Sequence, residues 1–140
     1  MQDITNNLHL QPAFAPKAAV TDGTAQVSST CDRLGYDSVM LALITGTLTD
    51  ADATWSVLIE DSDDDSTYAA VVDAELNGTE TLAGFAFGDD GECRKIGYCG
   101  SKRYVRATVD DVTANTGNLF LAGVWVLGHP ADAPTANPPA

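Results

Sequence analysis

Alternating apolar and polar residues mark two strands in the centre of the chain. In TWSVLI (54–59) every second residue is apolar, so Trp55, Val57 and Ile59 share one face of a β-strand. TYAAVV (67–72) follows after an acidic turn. Together the two runs predict a hairpin.

Two denser apolar runs predict further strands. YDSVMLALI (36–44) is expected to end at the turn-former Gly46, and NLFLAGVWVL (118–127) is apolar on both faces, as in a central strand. No stretch has convincing helical periodicity. The pattern predicts an all-β single domain of seven or eight strands, a β-sandwich or jelly roll with under about a tenth helix.

A third pair of runs, 92–98 and 102–109, predicts another hairpin. Gly100-Ser101 suits a two-residue type II′ turn, because glycine is favoured at its first central position. That register places four side chains on one solvent-facing side, and these candidate interface residues are Lys95, Lys102, Tyr104 and Arg106. In this register Lys95 lies directly opposite Arg106.

The two ends of the chain differ from its middle. Residues 1–20 contain two prolines and no clean periodicity, and they are expected to form an extended arm on the domain or on a neighbour. Residues 130–140 are rich in Pro and Ala and predict a flexible, exposed polyproline-type tail. The β-sandwich domain is therefore 21–129. The arm carries apolar residues that need cover, and these are further interface candidates: Leu8, Leu10 and Phe14.

The net charge and the lengths of the apolar runs argue against nucleic-acid-binding and membrane-spanning proteins. The chain has 140 residues and a formal net charge of -13 at pH 7, which opposes nucleic-acid binding because phosphate contacts need a basic surface. No apolar run approaches the ~20 residues of a membrane span, and the first ten residues do not resemble a signal peptide. We expect neither nucleic-acid nor membrane partners.

Cysteine and histidine usage gives no sign of a disulfide framework or a zinc site. The chain has an odd number of cysteines: Cys31, Cys93 and Cys99. We expect them to be reduced, buried or half-buried thiols, as in a cytoplasm. No CxxC occurs, and the two histidines, His9 and His129, lie near the opposite ends of the chain.

The acidic run Asp61–Ser66 has two interpretations. It is either a solvated hairpin loop built on Asx turns or a weak calcium site. Ser66 and Val72 stand where an EF-hand loop needs its Gly and its bidentate Glu. We expect no bound metal and no other cofactor.

Basic residues are concentrated in one part of the chain. Five of the seven lie between Arg94 and Arg106, whereas thirteen of the twenty acidic residues lie between Asp50 and Glu92. Either the two segments neutralise each other within the domain, or a basic face docks on an acidic partner. Like charges placed opposite each other on a sheet repel. An acidic partner would remove this repulsion, whether it is the chain's own acidic segment or another protein.

Catalysis has little support. The chain has no GxSxG motif, no glycine-rich phosphate loop and no histidine at a suggestive spacing from a carboxylate. Trp55, Trp125 and Tyr68 are expected in the core, with a sugar-binding groove as the alternative. We therefore expect a binding protein and not an enzyme.

One pair of motifs goes beyond composition. RKIGYCGSKRYVRATV (94–109) followed by LFLAGVWVLGHP (119–130) resembles a widespread group of small tailed-phage and prophage proteins, with an IGYxGxKRYVR core and a VLGHP end. The resemblance covers about 36–130, and this chain departs from it at Cys99 and at the acidic stretch 88–92.

The resemblance implies a bacteriophage structural protein, made in the bacterial cytoplasm and located on the exterior of the virion capsid. The implied role is capsid decoration, or cement: a small β-protein, often a trimer, that ties capsomers together. Its implied partners are the major capsid protein and further copies of the chain. A tail, baseplate or host-surface adhesin domain is the alternative.

Overall fold

Two antiparallel β-sheets packed face to face form the fold, in a computed structural model that describes residues 3–139. This confirms the predicted all-β sandwich. The helices are α1 (Glu80–Ala83) and two 3₁₀ turns, Thr5–Asn7 and Asp73–Glu75. The strands are β1 (Leu8–Phe14), β2 (Gln26–Val27), β3 (Cys31–Asp32), β4 (Tyr36–Leu48), β5 (Thr54–Ser62), β6 (Ala69–Ala70), β7 (Leu76–Asn77), β8 (Phe85–Ala86), β9 (Cys93–Tyr98), β10 (Tyr104–Asp111) and β11 (Leu119–Pro130).

The core lies between the two sheets. The five-stranded sheet has the order β1-β11-β4-β9-β7, and the six-stranded sheet has the order β2-β10-β5-β6, with β3 also paired to β10 and β8 to β5. Leu41 and Trp125 enter the core from the first sheet, and Ile59 and Val105 enter from the second. The Trp125 indole N–H donates to the Ser29 carbonyl at 3.0 Å, so its polar atom is satisfied.

Three of the predicted strands form as expected. Trp55, Val57 and Ile59 are all buried, β5 pairs with the short β6, and β11 lies inside its sheet between β1 and β4. One boundary is wrong, because β4 continues through Gly46. A Cβ on this glycine would lie 2.6 Å from the Phe120 Cβ, so the residue is explained by a close approach of strands and not by a turn.

The predicted hairpin over 92–109 is wrong. β9 pairs with β4 and β7 in the five-stranded sheet, whereas β10 pairs with β5, β2 and β3 in the other. Residues 99–103 carry the chain from one sheet to the other. Gly100 is not among the positive-φ glycines of the described residues, and a type II′ turn would need positive φ there. Instead, a Cβ at Gly100 would overlap the Tyr98 ring and hydroxyl.

This crossover also overturns the predicted register. Lys95 lies opposite Ala42, and Arg106 lies opposite Glu60, so the two basic residues do not face each other. Their side chains point away from the core on opposite sides of the sandwich.

The segment predicted as an extended arm contributes a strand to the domain itself. Residues 8–14 are β1, the edge strand of the five-stranded sheet, paired with β11. The predicted boundary between arm and domain therefore does not separate two structural units. Met1 and Gln2 of that segment lie outside the described residues.

The C-terminal segment is attached to the domain at Ala131, whose N–H donates to the Gly35 carbonyl at 2.9 Å, and at Thr135. Thr135 is buried, its N–H donates to the Asn6 carbonyl at 3.0 Å, and its hydroxyl donates to the Leu8 carbonyl. The neighbouring residues 131–134 and 136–139 are exposed, as expected for the predicted tail, whose last residue lies outside the described range. The tail thus runs beside the N-terminal segment.

Candidate functional site: an apolar sheet face

The outward surface of the five-stranded sheet is almost entirely apolar. Strand geometry turns every second residue of β1, β4, β9 and β11 away from the core. We call the outward apolar side chains of these strands, together with Lys95, the apolar face, and its members are Leu8, Leu10, Pro12, Met40, Ala42, Ile44, Cys93, Lys95, Phe120, Ala122, Val124 and Val126.

Strand register places the centre of the apolar face in rows that run across the sheet. One row is Pro12, Val124, Ala42 and Lys95, each opposite the next. Three of the larger aliphatic residues are well exposed, with Leu10 at 46%, Ile44 at 48% and Val124 at 40%.

The area of the apolar face is that of a small interface. Its members span Leu8–Pro12, Met40–Ile44, Cys93–Lys95 and Phe120–Val126 on four neighbouring strands. At about 3.3 Å per residue and about 4.8 Å between strands, they cover about 300 Å². An apolar patch of this size is comparable to the largest one on a typical monomer, and such patches are often functional. The face is therefore the strongest candidate for a functional surface.

The opposite side of the sandwich has a different character. On β5 and β10 the outward positions include Glu60, Arg106 and Thr108, and Arg106 forms an ion pair with Glu60 at 2.9 Å. The guanidinium also lies 4.0 Å from the centre of the Tyr68 ring. Polar and charged side chains lie on this side, whereas the apolar face lies on the five-stranded sheet.

Lys95 is the only charged residue among the outward positions of the apolar face. It is exposed, and it makes no ion pair with any residue between 3 and 139. Its charge is therefore available to a partner.

An open apolar cavity of about 470 Å³ lies at one end of the apolar face. The chain leaving β1 at Ala15 and Pro16 forms one wall, and Ile44 and Cys93 form the other. The strand between them contributes Ala122 to the floor. We call this the end cavity, and its lining reaches the strand of Lys95 at Cys93.

The other basic residues predicted for a docking face are used within the chain. Lys102 forms an ion pair with the buried Asp61 at 2.9 Å, and Arg103 holds Asp32 through two hydrogen bonds of 2.8 and 2.7 Å. The hydrogen bond that Lys102 donates to Asp61 raises the pKa of Lys102, and the hydrogen bond from Arg103 lowers the pKa of Asp32. Neutralisation within the domain is thus the observed arrangement for these two residues and for Arg106.

A buried contact among three residues joins the two sheets, and we call it the inter-sheet latch. The Tyr98 hydroxyl donates to Asp61 at 2.8 Å and accepts the Lys102 backbone N–H at 3.1 Å. Burial and the neighbouring carboxylate raise the pKa of Tyr98. The IGYxGxK part of the motif therefore has a structural role at the point where the chain changes sheet.

The seven predicted interface residues do not form one site. Leu8, Leu10 and Lys95 lie on the apolar face, whereas Phe14 is buried in the core and lines the end cavity. The other three lie apart from the face, at the latch or on the six-stranded sheet, and they are Lys102, Tyr104 and Arg106.

Sequence reasoning missed most of the apolar face. Its central residues come from the two densest apolar runs, and the sequence shows that both sides of these runs are apolar. The sequence does not show which of the two sides stays uncovered in the fold. The residues missed are Pro12, Met40, Ala42, Ile44, Cys93, Phe120, Ala122, Val124 and Val126.

The alternative sites have ordinary structural explanations. Asp64 accepts the backbone N–H groups of Ser66 and Thr67, both at 2.9 Å, which is the predicted Asx-type turn, and these bonds lower its pKa. Both Trp55 and Trp125 are buried, so neither forms an exposed sugar-binding platform. Tyr68, also expected in the core, is only partly buried and lies against Arg106 on the outer side.

The three thiols are all free, but two are more exposed than expected. Cys31 is fully buried, and burial raises its pKa to about 12, whereas Cys93 and Cys99 are exposed. Within residues 3–139 no group of three or more His, Cys, Asp or Glu side chains could hold a metal ion, and no helix of this range is long and apolar enough to cross a membrane.

No protein-family model and no curated protein matches the chain. Among solved structures it is similar to the xylan-binding module CBM15, with 13% identity, a TM-score of 0.45 and coverage of 93% of this chain and 95% of that one. The capsid of Ralstonia phage GP4 has 12% identity, a TM-score of 0.46 and coverage of 92% and 89%.

A xylanase 10C from Cellvibrio japonicus has 12% identity and a TM-score of 0.46 over 90% of this chain, which spans 28% of the xylanase's length. All three TM-scores lie below 0.5, so we transfer no property of these proteins to this chain.

Proposed function

We propose that this chain is a structural protein of a tailed-phage virion that decorates the outside of the head and stabilises capsomer contacts. The observation that carries the proposal is the apolar face, because the largest apolar patch on a protein surface is often its functional surface. The role needs a rigid body and a docking surface, and it needs no catalytic site. The IGYxGxKRYVR and VLGHP motifs supply the link to phage proteins.

The proposed occupant of the apolar face is the major capsid protein. A formal net charge of -13 keeps free copies apart before assembly. A capsid surface with a matching apolar patch and a basic rim would attract the chain and cover the face. Many such contacts on a symmetric shell add through effective concentration, so each need not be strong.

Self-association, as a trimer, remains a separate prediction, made from the resemblance and from the apolar residues of 119–127 and of the N-terminal segment. Sedimentation of the free protein at tens of micromolar tests it. A trimer that leaves the apolar face open is compatible with docking on the capsid.

A pair of matched substitutions tests the docking proposal. Val124 lies on the apolar face and Leu58 on the outer side of the six-stranded sheet, with nearly equal exposures of 40% and 38%. Burying an unpaired carboxylate in an interface is costly, so Val124→Glu should lower binding by about tenfold or more. Leu58→Glu should bind like the unchanged protein.

The measurement is occupancy on purified heads, assembled without this protein by the phage or prophage that encodes it. Electron microscopy of the heads after addition of each variant gives the occupancy. Equal occupancy for both variants, or no binding of the unchanged protein to heads, would contradict the proposal. In the second case a tail, baseplate or adhesin location becomes the candidate to test.

A further inference from the structure

The end cavity and Lys95 are adjacent features of the apolar face with different chemistry. Pro12, Val124 and Ala42 border the cavity and belong to the same cross-strand row as Lys95. Directly opposed residues on antiparallel strands are about 5 Å apart. An apolar recess thus lies beside one unpaired positive charge.

We propose that the partner inserts one apolar side chain into the end cavity and places a carboxylate against Lys95. The inference rests on the proposed function and specifies which kind of capsid surface the face fits: a loop in which an apolar residue lies next to an acidic group. Interfaces commonly depend on such a buried anchor, and a flanking charge pair fixes the register.

A second copy of the chain fits this face poorly. A face of about 300 Å² is well below the roughly 800 Å² per partner of a standard stable complex. Each copy also carries a net charge of -13, and a face-to-face pair would bring two surfaces of the same sign together. The single lysine calls for a carboxylate, and the apolar faces of two copies offer each other none.

Two small probes test this chemistry on the isolated protein, without any capsid. N-acetyl-phenylalanine has an aromatic side chain and a carboxylate, and N-acetyl-phenylalaninamide has the same side chain without the charge. Backbone amide shifts in a ¹⁵N-labelled sample report where each probe binds. The largest shifts should centre on Ala42, Ile44 and Cys93, and the carboxylate probe should bind about threefold more tightly.

Three variants separate the two parts of the proposed site. Lys95→Met keeps most of the side-chain length and should abolish the preference for the carboxylate. Ala122→Phe fills the end cavity and should abolish binding of both probes. Ser56→Phe, an exposed position on the six-stranded sheet, is the control and should change neither.

No saturable shifts at the end cavity, or a carboxylate preference that persists in Lys95→Met, would overturn the inference. If neither probe binds at the end cavity but the protein still binds to heads, the proposed anchor and charge pair are rejected and the proposed function stands. Binding of the probes without binding to heads would reject only the proposed function.

Discussion

Removing the Tyr98 hydroxyl should destabilise the domain, because that hydroxyl links the two sheets through the inter-sheet latch. Tyr98→Phe leaves the Lys102 N–H without its acceptor and takes one donor from the buried Asp61. Leaving buried polar groups unpaired costs about 1–3 kcal/mol, and we expect about 2 kcal/mol. For 140 residues the entropy of unfolding is about 0.3 kcal/mol/K, so Tm should fall by about 7 °C.

A double-mutant cycle shows whether this loss comes from the contact itself. Asp61→Ala should cost about 3 kcal/mol, at the low end for a broken buried pair because Lys102 is 36% exposed and reaches water. Because Tyr98 and Asp61 touch, the two losses should not add, and we expect a coupling of about 1 kcal/mol.

Urea unfolding of the four proteins gives the coupling free energy, with Tyr104→Phe as the matched control on the outer surface. That control should stay within about 0.5 kcal/mol of the unchanged protein. A hairpin of β9 with β10 would hold Tyr98 away from Asp61 and make the two losses additive. Additivity within about 0.5 kcal/mol would therefore refute the crossover.

Three further predictions follow from the fold. Gly100→Ala should cost about 1–3 kcal/mol by overpacking against Tyr98, measured as a lower urea midpoint. Folding lowers the pKa of Asp32 and Asp64 from the ordinary 3.8, so the folded state binds fewer protons than the unfolded one. The stability they contribute is complete above that value and is lost as pH falls through the lower folded values, so Tm measured against pH should decline below about pH 4. Thr135→Val should free the C-terminal tail at a cost of about 1 kcal/mol, seen as faster proteolysis after residue 130 without loss of the folded core.

The sequence predicted the sandwich because local patterns determine which residues enter a core. Alternation in 54–59 identified one buried face, and the two-sided apolar run at 118–127 identified an interior strand. The error at 92–109 arose because glycine has two uses. Gly100 suits a tight turn, and it also suits a site where an aromatic ring approaches the backbone, so the local pattern does not distinguish a hairpin from a crossover.

The candidate site was harder to predict than the fold. The basic cluster suggested a docking surface, but its charge partners Asp32, Glu60 and Asp61 come from segments far away in the sequence, and only the strand register shows that they meet. The apolar face depends on which side of β11 and β4 has no second layer. That is a property of the whole topology, and no single run of residues carries it.

Protection of Cys93 on heads is the most direct test of docking through the apolar face. Cys93 is exposed beside the end cavity, while Cys31 is fully buried and should not react. In a Cys99→Ser background, alkylation therefore reports on Cys93 alone. A second protein, with Cys93→Ser and Ser56→Cys added, places the reporter on the six-stranded sheet as the control.

The account predicts that binding to heads slows alkylation of Cys93 by about tenfold or more, since a covered thiolate is out of reach of the reagent. The cysteine at position 56 should react at the same rate whether free or bound. Equal reactivity of Cys93 in free and head-bound protein would contradict the claim that the apolar face is the docking surface.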